Sequence, residues 1–274
     1  MRRDSTFQFG LPRFQGAVRK IVLLNFGIWV ALMLLWVVDR PAAGLLMVGG
    51  SLDPVAVKQG WVWQFLTYAF IHPPDPRYLL SVLVGVYFIG SSVEERIGPR
   101  AFIQLYLGSS ILAGVVGFLL SMTGHVGSGV AMGGGAAANA ILMVFYLFYR
   151  GTSIYLFPLP FQIPVQWVVI GFGILEGAFF ILSNFGLFYL VSLLGLGAGY
   201  LWYRFAWRRA SLLGPIRNPF ADLRNNYYRW KRRRAAKKFQ VYMRKHGQDP
   251  KEYFDEYGNF RPPDDKKDGG RWIN

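Results

Sequence analysis

Met132-Gly133-Gly134-Gly135-Ala136-Ala137-Ala138-Asn139-Ala140 lies inside a long apolar run and carries almost no side chains. Small residues of this kind let one backbone approach another. Helices pack that way where lipid removes the hydrophobic drive between them. The run around this stretch covers residues 130–149 and stops at Arg150-Gly151. A bilayer core takes about 20 mostly apolar residues per helix, so the run reads as a membrane span. Five others fit the same template, at residues 21–38, 78–93, 101–122, 163–182 and 185–207. The expected fold class is therefore all-α, a polytopic membrane bundle of six helices.

Composition agrees. The chain is 53% hydrophobic and 16% charged, whereas about a quarter of a soluble domain is charged. Its 30 Lys+Arg against 15 Asp+Glu give a formal net charge of +15. Apolarity and basicity are compatible if the apolar residues face lipid and the basic ones lie at its cytoplasmic side. The 274 residues include no Cys, which excludes disulfides, a thiolate nucleophile and Cys metal sites. No metal cluster, phosphate loop or dinucleotide fingerprint occurs, and no cofactor is expected.

The chain divides into residues 1–20, a basic cytoplasmic segment; 21–207, the membrane domain; and 208–274, a basic cytoplasmic tail. The segment before the first run is too polar and too long for a cleaved signal peptide, so that run reads as a retained span. With both termini inside, the outer face carries only Arg40, Lys58 and Arg77 of all the basic residues, as the positive-inside rule requires. The loop 39–77 holds Trp61, Trp63 and Tyr68, aromatic residues that favour the membrane interface. In the tail, Arg229-Trp230-Lys231-Arg232-Arg233-Arg234 and Lys237-Lys238 form a polybasic block, and Tyr228, Ala235, Phe239 and Tyr242 recur at helical spacings. This pattern suits a helix held at anionic lipid headgroups, favoured over nucleic acid because it follows six spans directly. Residues from 249 onward read as disordered.

Trp63-Gln64-Phe65-Leu66-Thr67-Tyr68-Ala69-Phe70-Ile71-His72 resembles the loop leading into the second helix of rhomboid intramembrane proteases. Tyr87-Phe88-Ile89-Gly90 and Val93-Glu94-Glu95-Arg96-Ile97-Gly98 resemble the end of that helix and the turn after it. The resemblance covers residues 21–207 and implies a six-helix serine protease fold. It also implies a Ser nucleophile on span four, a His base on span six, and a His and an Asn on span two that stabilise the oxyanion. In this chain the matching positions are Gly135, Ser192, Tyr78 and Val82. A hydroxyl is a weak nucleophile without an adjacent base, and lost oxyanion donors cost about two to three orders of magnitude in rate. The resemblance therefore implies an inactive member, a pseudoprotease that binds the transmembrane segments of client proteins.

Two rival readings come from other residues. Gly127-Ser128-Gly129 also resembles the nucleophile motif, with His125 or His72 as conceivable bases for an active protease. Glu176, an ionisable residue inside the fifth span, is by default a functional-site hypothesis. It could serve a small transporter, or it could be a carboxyl facing the bundle interior. Asn25, Gln104 and Asn139 are candidates for interhelical hydrogen bonds, with Asn139 a candidate to fill the vacated site. Gly195, Gly197 and Gly199 should pack against residues 133–140.

Overall fold

The computed structural model describes residues 12–127, 129–155, 162–184 and 186–207, and in the tail residues 227, 228, 230, 231, 234, 242 and 245–247. The chain forms two compact units, Met1–Leu212 and Leu213–Asn274.

The first unit begins with α1 (Gly16–Val38), α2 (Arg40–Gly50), α3 (Pro54–Lys58) and α4 (Gln64–Thr67). It continues with α5 (Pro76–Ile97), α6 (Pro99–Ser121) and α7 (Gly135–Phe148). Strands β1 (Ser153–Tyr155) and β2 (Gln162–Pro164) pair antiparallel, with Ile154 opposite Ile163. Then come α8 (Val165–Leu182) and α9 (Leu187–Trp202), which runs on into a π-helical turn, Tyr203–Trp207. Among the described residues four helices, α1, α5, α6 and α8, are long and apolar enough to cross a membrane.

Local chemistry sets several of these boundaries. Asp39, Asp53 and Asp75 each stand just before a Pro-containing first turn, and each accepts a backbone N–H, from Ala42, Val55 and Arg77 respectively. Pro is tolerated in a first turn because its missing N–H would have been unpaired there, and Asp fills the capping role. The loop 39–77 thus folds into three short helices, with Trp61 and Trp63 stacked at 5.4 Å between α3 and α4. The second apolar run is longer than the 78–93 expected. It continues to Ile97 because Glu94 points at another helix: its carboxylate accepts the Ala17 and Val18 N–H groups at 2.6 and 2.8 Å. Those are orphan donors of the first turn of α1. Gly16 makes room for the carboxylate, since a Cβ there would overlap it, and its φ of +70° suits glycine.

The fourth run departs furthest from expectation. Its helix begins at Gly135, not at residue 130. The preceding stretch is tied to the loop 39–77 instead. Leu52 and Ala131 exchange backbone hydrogen bonds of 2.8 and 2.9 Å, and Gly133 N–H donates to the Tyr68 carbonyl at 2.7 Å. Gly133 has φ +92°. Fourteen helical residues rise about 21 Å, short of the ~30 Å hydrocarbon core. The N-terminus of α7 is therefore sunk within the bundle.

α7 is the centre of the unit. Ten of its 14 residues are buried, from Gly135 and Ala136 to Leu147, whereas α8 buries only Val165, Val168 and Val169, all in its first turn and a half. Gly195 and Gly199 of α9 lie directly on α7: a Cβ on either would overlap the backbone of Ala136 or Ala140. This is the close packing expected of the small-residue stretch. Gly197 faces open space and takes no part in it. Asn25 is buried and joins α1 to α6 through the Tyr106 hydroxyl at 3.4 Å. Gln104 is exposed, so it makes none of the interhelical bonds expected of it.

In the second unit, the described residues 227, 228, 230, 231, 234, 242 and 245 are helical. Arg234 lies over the Trp230 ring at 5.0 Å, and His246 stacks on Tyr242 at 4.1 Å. Of the expected apolar stripe, Tyr228 and Tyr242 are exposed, and Ala235 and Phe239 lie outside the described residues.

Candidate functional site

The N-terminus of α7 collects the site. Gly135 has no side chain, and the space where one would stand is lined by two hydroxyls. A Cβ on Gly135 would lie 2.8 Å from Ser192 Oγ and 2.9 Å from the Tyr78 hydroxyl oxygen. Tyr78 reaches this point from the first turn of α5, and Ser192 from the second turn of α9. The two residues matched to nucleophile and base thus face each other across a single contact.

A helix start leaves unpaired N–H groups that serve as anion donors when free. Here the chain uses them itself. Gly133 N–H goes to Tyr68, and Gly134 N–H donates to His72 Nε2 at 3.3 Å. The Tyr78 hydroxyl lies against the Gly135 backbone. Val82 is buried beside Gly134, with its Cγ1 3.1 Å from where a Cβ on Gly134 would stand. Tyr78 also packs on His72 and on Phe188 of α9, with ring centroids 6.0 and 5.3 Å apart.

Below Gly135 the polar groups form one directed chain. Asn139 Nδ2 donates to the Ser192 carbonyl at 2.9 Å and to Ser192 Oγ at 3.1 Å. Ser192 Oγ donates to Glu176 Oε1 at 2.7 Å, and Asn139 Nδ2 also approaches that oxygen at 3.5 Å. Asn139 and Ser192 are buried, and Glu176 is half-buried. The residue matched to the base is thus a serine paired with a carboxylate.

His72, one of the two conceivable bases, is fully buried. Its Nδ1 faces the Phe70 carbonyl at 3.2 Å and its Nε2 accepts from Gly134. These bonds fix the tautomer with the proton on Nδ1 and leave neither nitrogen free to act as a base. Burial pushes its pKa down to about 4, so the ring is neutral at physiological pH. His125 is exposed, and Ser128, its conceivable partner, lies outside the described residues. Among the described residues no group of three His, Asp or Glu side chains comes together to hold a metal.

Sequence reasoning overlooked His72 as a cap and did not connect Glu176 to Ser192. The spacing of Glu176 on α8 carries no sign of which neighbouring helix it meets.

Comparison with known proteins gives the class. The model of the Rhomboid domain family matches residues 59–209, and the chain belongs to the rhomboid family. With its apolar helices, it is an integral membrane protein. It is 28% identical over 165 residues to RHOMBOID-like protein 12, mitochondrial, of Arabidopsis thaliana, covering 55% of this chain and 46% of that protein. It is 31% identical over 105 residues to Rhomboid-like protease 1 of Toxoplasma gondii, covering 37% of this chain and 33% of that protein. The chain thus spans less than half the length of each of these relatives.

Proposed function

We propose that the protein is a rhomboid pseudoprotease that holds transmembrane segments of client proteins without cutting them. One observation carries this reading: at Gly135, the residue matched to the nucleophile, the space a side chain would need is taken by Tyr78 and Ser192. No hydroxyl is available there to attack a carbonyl carbon. Two backbone N–H groups that could receive an oxyanion are spent on Tyr68 and His72. The fold is kept while the chemistry is lost, which fits a protein whose use is binding. In this reading the six apolar helices all span the bilayer with both termini cytoplasmic, and the tail binds anionic lipid headgroups.

The purified chain in liposomes, incubated with a fluorogenic transmembrane substrate, should give no cleavage above a protein-free control. The double variant Gly135→Ser, Ser192→His should also stay inactive, because Tyr78 fills the space a new side chain needs. Cleavage by the unaltered chain would sink the proposal. One relative's name contains the word protease, which motivates the rival reading of an active enzyme using Ser128. Covalent labelling of Ser128 by a serine-reactive fluorophosphonate would favour that rival.

A further inference from the structure

Glu176 is the one carboxyl in the interior of the apolar helices among the described residues. Both of its hydrogen bonds, from Ser192 and Asn139, arrive at Oε1. Its Oε2 receives no donor. No fully buried side-chain oxygen or nitrogen among the described residues lacks a partner. Oε2 is therefore not fully buried. An acceptor open at hydrocarbon depth is costly, and ionisable groups there pair with an opposite charge.

The described residues supply no such charge. The only ion pair among the described residues joins Arg77 to Asp75 outside the site. No Lys or Arg occurs within α7, α8 or α9. Ser192 and Asn139 fix the other oxygen, so the carboxyl is oriented before any partner arrives, which lowers the entropy cost of binding. The flanks of Glu176 allow a close approach: open space lies over Gly177, and Ile174 and Leu175 are exposed to the lipid side. Glu176 stands six residues before the end of α8, about 9 Å along the axis. A long basic side chain can reach that depth while its backbone stays near the membrane surface.

The geometry points to Glu176 Oε2 as a recognition site for a client transmembrane helix bearing a single Lys or Arg in the outer third of its span. The assignment rests on the client-binding reading and names the class of client.

The test uses the full chain in lipid nanodiscs and acceptor-labelled Leu/Ala 21-residue helices with a basic inner flank that fixes their orientation. One peptide carries Lys six residues from the outer end, one carries Leu there, and one carries Lys at the same depth in the opposite leaflet. Energy transfer reports binding. The outer Lys peptide should bind at least about tenfold more tightly than the other two, the equivalent of a 1.4 kcal/mol preference. Glu176→Gln should bring the Lys and Leu peptides within about twofold of each other, and Leu-peptide affinity equal to the unaltered chain's would show that this variant is folded. Equal binding of Lys and Leu peptides by the unaltered chain overturns this inference alone. Retention of the preference in Glu176→Gln overturns it as well. If no peptide binds, both the inference and the client-binding reading fall. If the Glu176→Gln variant binds no Leu peptide, Glu176→Asp replaces it and should keep a reduced Lys preference; loss of all preference there, with Leu-peptide binding intact, counts against the site.

Discussion

α9 makes two seams, and they are built differently. Toward α7 the contact is backbone against backbone, with Gly195 and Gly199 on Ala136 and Ala140. Toward α8 the contact is made through side chains of α9. Leu196 meets Gly173, Ser192 meets Glu176, and Phe179 stacks on Tyr189 at 5.4 Å. Beyond its first turn and a half, α8 presents mostly exposed apolar residues, with Ile174 68% and Leu182 78% accessible. A glycine seam has no conformational slack, because nothing on it can rotate away. A side-chain seam can be remade with a different partner. The first seam is suited to preserving a fold and the second to exchanging helices.

The largest effect should come from filling the glycine seam. Gly199→Leu places a side chain into the Ala140 backbone and should cost about 3 kcal/mol or more, seen as loss of a cooperative melt in detergent. A native-like melt for that variant would show that the seam is softer than it looks. The next effect concerns the N-terminus of α7. His72 is held neutral, with a pKa of about 4 against its ordinary 6.5. Between those values the unfolded chain binds more protons than the folded one, so stability rises with pH across that window. It should be complete above about pH 6.5 and fall by about 3 kcal/mol on acidification to pH 4. Unfolding midpoints between pH 4 and 7 measure this, and His72→Gln should flatten the curve. A profile unchanged by that substitution would move the acid sensitivity elsewhere.

Asn139→Leu removes donors from α7 to α9 and should cost about 1 to 2 kcal/mol, with Ser192→Ala nearer 0.6 kcal/mol. Equal effects would mean that Asn139 acts only through the Ser192 hydroxyl. The smallest change is expected at Gly197→Leu, on the open side of α9, within about 0.5 kcal/mol. A large loss there would break the contrast between the faces of one helix.

Much of this was legible in the sequence. Apolar run length revealed the long helices, and small residues spaced by four marked the seam between α7 and α9. Gly135 and Ser192 could be matched because α7 and α9 carry fixed landmarks, Arg150 and Gly199-Tyr200, to count from. The start of α7 was hidden because residues 130–134 are apolar and small enough to read as helix. Pairings with Leu52 and Tyr68, far away in the chain, hold them out of it. His72 is a loop residue as its two following prolines suggest, but its burial was hidden because it depends on Gly134, 62 residues later. Side-chain direction across helices, as in Glu176 to Ser192, has no local signature.

The carboxylate at the head of α1 also bears on the order of synthesis. Ala17 and Glu94 are 77 residues apart. While the chain is being made, α1 emerges with its first amides unanswered, and they stay so until the far end of α5 has left the ribosome. The clasp therefore closes only after two helices and the loop between them have been laid down, and it records that the first hairpin of the bundle is complete.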